Sequence, residues 1–111
     1  MPALPDQEDR DLRINLIKEE FEELLVAFDT DDLIESIDAL VDLLYVTYGA
    51  LDVLGVDGDM AFEEVHSSNL SKLSAEGKVI KREDGKILKG PNFREPDLLK
   101  VLQKQISKNN F

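Results

Sequence analysis

The stretch LIKEEFEELLVAF, residues 16–28, decides how this chain is read. Leu16, Ile17, Leu24, Leu25 and Phe28 recur at spacings of three and four, the period of an amphipathic helix, while four glutamates crowd positions 19–23. Rotation by about 100° per residue fixes the faces. With Glu20 at zero, Leu16 and Leu24 lie about 40° to either side, with Ile17 at about 60° and Phe28 at about 80°. Glu20 therefore stands on the core side, Glu23 and Glu19 border that side, and Glu22 points to solvent. A carboxylate facing a core needs a physical reason.

Working outward, apolar residues at the same spacing extend this first helix from about Asp6 to Phe28. The polar run DTDD at 29–32 breaks it and supplies a cap for the next helix. That second helix, roughly 32–54, is apolar on almost every side, and Gly55 fits its C-terminal stop. With Asp38 at zero, Ile34 and Tyr45 lie about 40° and 20° away, while Glu35 and Asp42 lie about 60° and 40° on the other side. Glu35, Asp38 and Asp42 thus share one stripe. Two helices joined by a short turn pack antiparallel, which brings the two acidic stripes within reach of each other.

A third helix is predicted over about 59–73, with Phe62, Val65 and Leu73 on one side. Short β-branched runs around EDG predict a small hairpin or ordered loop near 77–95. Pro96 and Asp97 open a short terminal helix. The expected architecture is all-α, one domain over 1–111, with the loop as an appendage.

Several carboxylates in one partly dehydrated place repel one another, so they take up protons or hold a cation. Oxygen-only ligands suit a hard ion, Mg²⁺ or else Mn²⁺. The candidate ligands are Glu20, Glu23, Glu35, Asp38 and Asp42. Each acid taken singly has a plainer reading, as solvated charge or, for Glu35, as the reciprocal partner of Asp32 in a capping box. A helix–loop–helix calcium site starting at Asp57 fails, because its fifth and sixth positions are Ala61 and Phe62.

Composition bounds the rest. The 111 residues are 42% hydrophobic and 33% charged, which is globular, and the absence of cysteine removes disulfides and thiolate metal sites. The net charge of −11 is split: residues 1–64 carry 19 acids and 3 bases, residues 65–111 carry 10 bases and 5 acids. Such acidity argues against nucleic acid as a partner. The apolar runs fall short of a membrane span and MPALPDQEDR lacks a signal-peptide pattern, so the expected address is cytoplasmic.

EEFEEL at 19–24 followed by ESIDALVDLLYVTYG at 35–49 gives E-x-x-E, eleven intervening residues and E-x-x-D. With FEEVHSSNLSKLSAEGKVIKREDGKILKGPNFREPDL, this resembles the all-α nucleoside triphosphate pyrophosphohydrolases, MazG-like and phosphoribosyl-ATP-pyrophosphatase-like, over about residues 12–99. The resemblance implies Mg²⁺-dependent cleavage of a nucleoside or deoxynucleoside triphosphate between its α and β phosphates, with two or more ions per site. It maps the first acidic pair to Glu20 and Glu23 and the second to Glu35 and Asp38. Many relatives write D-E-L-x-D-L-L-Y in the second helix; if the second pair belongs at 39 and 42, Ala39 has lost a ligand. The face argument favours Glu35 and Asp38, with Asp42 as helper.

Within that resemblance Glu19 or Glu20 takes the proton of an attacking water, and Asn69 and Lys72 reach substrate phosphate or sugar. Lys89 joins Lys72 from the basic tract, and Tyr45 stacks on a base. The family also implies a homodimer or tetramer with sites near the interface, which fits the all-round apolar second helix. Two rival readings stand beside this one: phosphoribosyl-ATP cleavage in histidine synthesis, and a non-catalytic helical dimerisation module. No motif specifies a base edge or distinguishes ribose from deoxyribose.

Overall fold

The computed structural model describes residues 1–73, 77–79, 81–86 and 89–109, with side chains to Lys108. Four helices run in order: α1 Gln7–Asp29, α2 Leu33–Val53, α3 Gly58–Leu70 and α4 Leu98–Asn109. The chain divides into two compact units, residues 1–56 and 57–111. Among the described residues the architecture is all-α, as the periodicity predicts.

Each end of the first unit's hairpin is set by local chemistry. Asp6 caps α1 by accepting the Asp9 N–H at 2.9 Å. At the turn, Asp31 adopts φ 53°, a left-handed conformation that Asp tolerates better than most residues. The Asp32 N–H then donates to Ala27 O at 2.9 Å, and the Asp32 carboxylate accepts the Glu35 N–H at 3.1 Å. Because the Asp32 N–H is already taken, a reciprocal capping box has no role for the Glu35 side chain, which is free to face the groove. Gly55 ends α2 at φ 74°, and Ala3 N–H donates to Leu54 O at 2.9 Å, laying the N-terminal segment along that end.

The buried residues of the hairpin are small: Ala27, Ser36 and Ala39. They sit where the two helices leave the turn, and their size lets the backbones approach. The large apolar residues are another matter. Leu33, Ile34, Val41, Leu44 and Tyr45 on α2 are more than half exposed, as are Val26 and Phe28 on α1. The sequence pattern makes α2 a central helix; in the single chain it is a half-covered one. No single helix is long and apolar enough to cross a membrane.

In the second unit Asp57 caps α3 by accepting the Met60 N–H at 3.1 Å, while its own N–H donates to Gln105 Oε1 of α4 at 2.8 Å. The helix stops at Leu70 rather than Leu73. Lys72 and Leu73 close tighter turns onto Asn69 and Leu70, which frees Lys72 O to accept the Gly90 N–H at 2.8 Å. The segment 90–97 is stapled to α3. Fully buried Ser68 donates to Arg94 O at 2.8 Å, Arg94 Nη1 reaches Glu64 Oε2 at 2.7 Å, and the Asp97 N–H donates to the same oxygen at 3.2 Å. Asp97 then caps α4 by accepting the Lys100 N–H at 3.1 Å.

Of the expected hairpin near 77–95, the described part is a tight turn. Arg82 N–H donates to Lys86 O at 2.8 Å, and Gly85, at φ 87°, donates to Arg82 O. Residues 80, 87 and 88, where flanking strands would run, lie outside the described residues.

Candidate active site

Antiparallel packing of α1 on α2 brings the acidic stripes together. Carboxylate oxygens of Glu20, Glu23 and Asp42 all lie within 4.8 Å of one another. Glu20 is half-buried, and its Oε2 is sealed from solvent with no hydrogen-bond partner. The pKa of Glu20 is raised above its ordinary value of 4.5, first by burial, then by the hydrogen bond and charge of Glu23, then by the charges of Asp42 and Asp38. Like charges this close keep one proton or demand a cation.

Beside the triad runs a groove of about 750 Å³, walled by Glu19, Glu22, Glu23, Glu35 and Asp38 with Ala27 and Ala39 on its floor. The predicted acids thus gather on one side of the hairpin, with different duties. Glu20, Glu23 and Asp42 form the compact group, Asp38 adds its field, and Glu19 and Glu35 line the groove as exposed carboxylates. Ala39 is 2% exposed, so its methyl packs between the helices at a position where a carboxylate would need room and solvent. The triad and the acids beside it, Glu19, Glu35 and Asp38, offer carboxylate oxygen, the ligand type that hard divalent ions prefer.

Tyr45 is 80% exposed and lines a separate, mainly apolar hollow with Val41, Leu44 and Tyr48. Asn69 is exposed near the end of α3 rather than held on an apolar face. His66 stacks on Phe62, ring centroids 6.1 Å apart, which is a packing role.

In the second unit Lys72 and Lys89 converge on one aromatic ring. Their ammonium groups lie 6.0 Å and 4.7 Å from the centroid of Phe93, and Lys89 also pairs with Glu95 at 3.7 Å. Phe93 and Gly90 escape a reading by helical period, since they lie in a loop. The signal available for them is the GPNF turn itself, in which Phe93 N–H donates to Gly90 O at 3.3 Å.

The profile of the phosphoribosyl-ATP pyrophosphohydrolase family matches residues 2–69, more than half the chain and all of the acidic hairpin. An uncharacterized protein of Acanthamoeba polyphaga mimivirus is 48% identical over 48 residues, which cover 43% of this chain and 19% of that protein. The match therefore covers about a fifth of the length of that relative. A crystal structure from Exiguobacterium sp. 255-15, described provisionally as an NTP pyrophosphohydrolase, superposes with TM-score 0.62 at 23% identity, covering 96% of this chain and 69% of that one. That likeness establishes the fold. With the family match over the helices that carry the acidic triad, it leads to one conclusion: the chain belongs to the phosphoribosyl-ATP pyrophosphohydrolase family, of the MazG-like, all-α type.

Proposed function

We propose that the protein hydrolyses a nucleoside or deoxynucleoside triphosphate between the α and β phosphates, releasing the monophosphate and pyrophosphate, with Mg²⁺ as its ion and Mn²⁺ as a substitute. The observation that carries this reading is the sealed, unpartnered Glu20 oxygen inside a three-carboxylate group. An all-oxygen cluster whose central member is pushed toward its protonated form fits a hard divalent ion, because the ion restores the charge balance that burial denies. Glu20, Glu23, Asp42 and Asp38 would hold it, two or more ions being in keeping with the number of acids, and Glu35 would serve from the groove wall. When bound, such ions neutralise phosphate charge and make water a stronger nucleophile.

The chain's own residues divide the remaining work. Glu19, exposed at the groove beside the triad, accepts the proton of the attacking water; Glu20 is the alternative acceptor. Ala27 and Ala39 keep the groove floor narrow, so the reacting phosphates meet carboxylates on both walls. Lys72 and Lys89 supply positive charge for the polyphosphate, and Asn69 offers an exposed amide for sugar or phosphate. Tyr45 offers an exposed ring on which a base can stack. The uncovered apolar surface of α2 supports assembly into a homodimer or tetramer. Cytoplasm is the compartment where such substrates are plentiful.

The experiment is release of pyrophosphate from each of the eight common triphosphates with Mg²⁺. Wild type should turn over at least one, and Glu20→Gln should lose turnover while keeping the wild-type mass. Mg²⁺ should also raise the melting temperature of wild type and not that of Glu20→Gln. Full turnover in Glu20→Gln would refute the metal assignment. The matching family's own description favours a second reading, cleavage of phosphoribosyl-ATP, which the same assay tests with that substrate.

A further inference from the structure

We infer that Arg13, on the α2-facing side of α1 that also carries Glu20, is a second anchor and binds the terminal phosphate of the polyphosphate chain; this rests on the nucleotide reading above. Residues 1–64 hold 19 acids and only 3 bases, so carboxylates far outnumber the cations that could pair with them. Arg13 nevertheless takes part in no salt bridge among the described residues, and its Nε is sealed from solvent without a hydrogen-bond partner. Unlike Glu20, a guanidinium does not shed its charge when buried. Leaving it uncompensated is costly, and its planar fork matches a phosphate in shape as well as sign.

The register places it. Arg13 precedes Glu20 by seven residues, and Gly49 follows Asp42 by seven. In an antiparallel hairpin the two steps coincide, and Arg13 Nη1 does lie opposite Gly49, 3.1 Å from where a Cβ would stand. Glycine makes the space that the guanidinium fills. Seven residues return to within about 20° of the same face and advance about 10 Å along the axis. Arg13 therefore shares the α2-facing side of α1 with Glu20, two turns nearer the N-terminus. At that distance it is too far from the triad to neutralise Glu20 and well placed for a charge beyond the scissile bond. The nucleoside end of the substrate is uncharged, which leaves the terminal phosphate.

The test uses the full chain with Arg13→Met, which keeps the stem and removes the charge. Calorimetric titration with inorganic tripolyphosphate and with pyrophosphate, both with Mg²⁺, is combined with steady-state kinetics and solution mass. Tripolyphosphate binding should weaken about tenfold or more, as for loss of a charge-assisted hydrogen bond, and pyrophosphate binding by less. KM should rise with kcat largely kept, and the mass should stay that of wild type. If Arg13→Met melts well below wild type, Arg13→Gln, which keeps polar contact, decides in its place. Unchanged tripolyphosphate affinity overturns the inference. So does a drop in solution mass, which would assign Arg13 to a carboxylate of a second copy. Wild type that neither binds tripolyphosphate nor releases pyrophosphate overturns the nucleotide reading as well.

Discussion

Gly90→Ala is the most stringent single test of how the second unit is held together. A Cβ at this position would stand 2.3 Å from Leu73 O, 2.7 Å from Lys72 O and 2.8 Å from Leu73 C. All three are backbone atoms, so no side chain can swing aside. Restoring ordinary contact at 3.4 Å moves the loop about 1 Å off the end of α3. That displacement breaks the 2.8 Å bond from Gly90 N–H to Lys72 O and loosens the turn that sets Phe93 between Lys72 and Lys89. Overpacking strain with one lost hydrogen bond comes to about 2–4 kcal/mol. For a chain of this size the melting temperature should fall on the order of 10–20 °C. Urea unfolding should show a lower midpoint with the slope unchanged, and KM for a turned-over triphosphate should rise with kcat nearly preserved. A variant that unfolds within about 0.5 kcal/mol of wild type, with wild-type KM, would refute the steric reasoning.

Ser68→Ala should destabilise by about 1–2 kcal/mol, because it removes the buried donor that satisfies Arg94 O; urea denaturation measures it. Asp32→Ala should lower stability by about 1 kcal/mol through loss of the α2 cap, with the deficit visible in helical circular dichroism on heating. Glu64 has its pKa lowered from 4.5 by its hydrogen bond with Arg94, then by the Asp97 N–H. The folded state therefore binds that proton less tightly than the unfolded chain. The resulting stability is present above about pH 4.5 and fades as pH falls through the lower folded value, so Glu64→Gln should flatten the acid limb of the melting-temperature profile.

The helices were legible because their determinants are local. Asp6, Asp32 and Asp57 stand one residue before helices and accept the N–H groups that helices leave orphaned. Gly55 ends α2 in a conformation other residues avoid. The end of α3 was not legible, because it depends on Gly90, eighteen positions beyond the Lys72 carbonyl it meets. Nor does the apolar surround of α2 say what covers it: hydropathy reports a need for burial, not the partner that meets it.

The acidic site was legible by face and not by level. Rotation about one helix axis puts Glu35, Asp38 and Asp42 on a common stripe, but which of them meets Glu20 depends on how far α2 slides along α1. That offset is fixed at the turn, where small Ala27 and Ala39 pack between the helices. It brings Asp42 level with Glu20 and Glu23, and leaves Glu35 on the groove wall. The same offset brings Gly49 level with Arg13. Two sealed, unpartnered atoms of groups of opposite sign, Glu20 Oε2 and Arg13 Nε, thus lie on one side of α1 about two turns apart, close enough for one ligand and too distant to cancel each other. A hairpin built only for stability would have paired them. Keeping both charges unpaired favours a ligand that carries cations at one end and phosphate charge at the other.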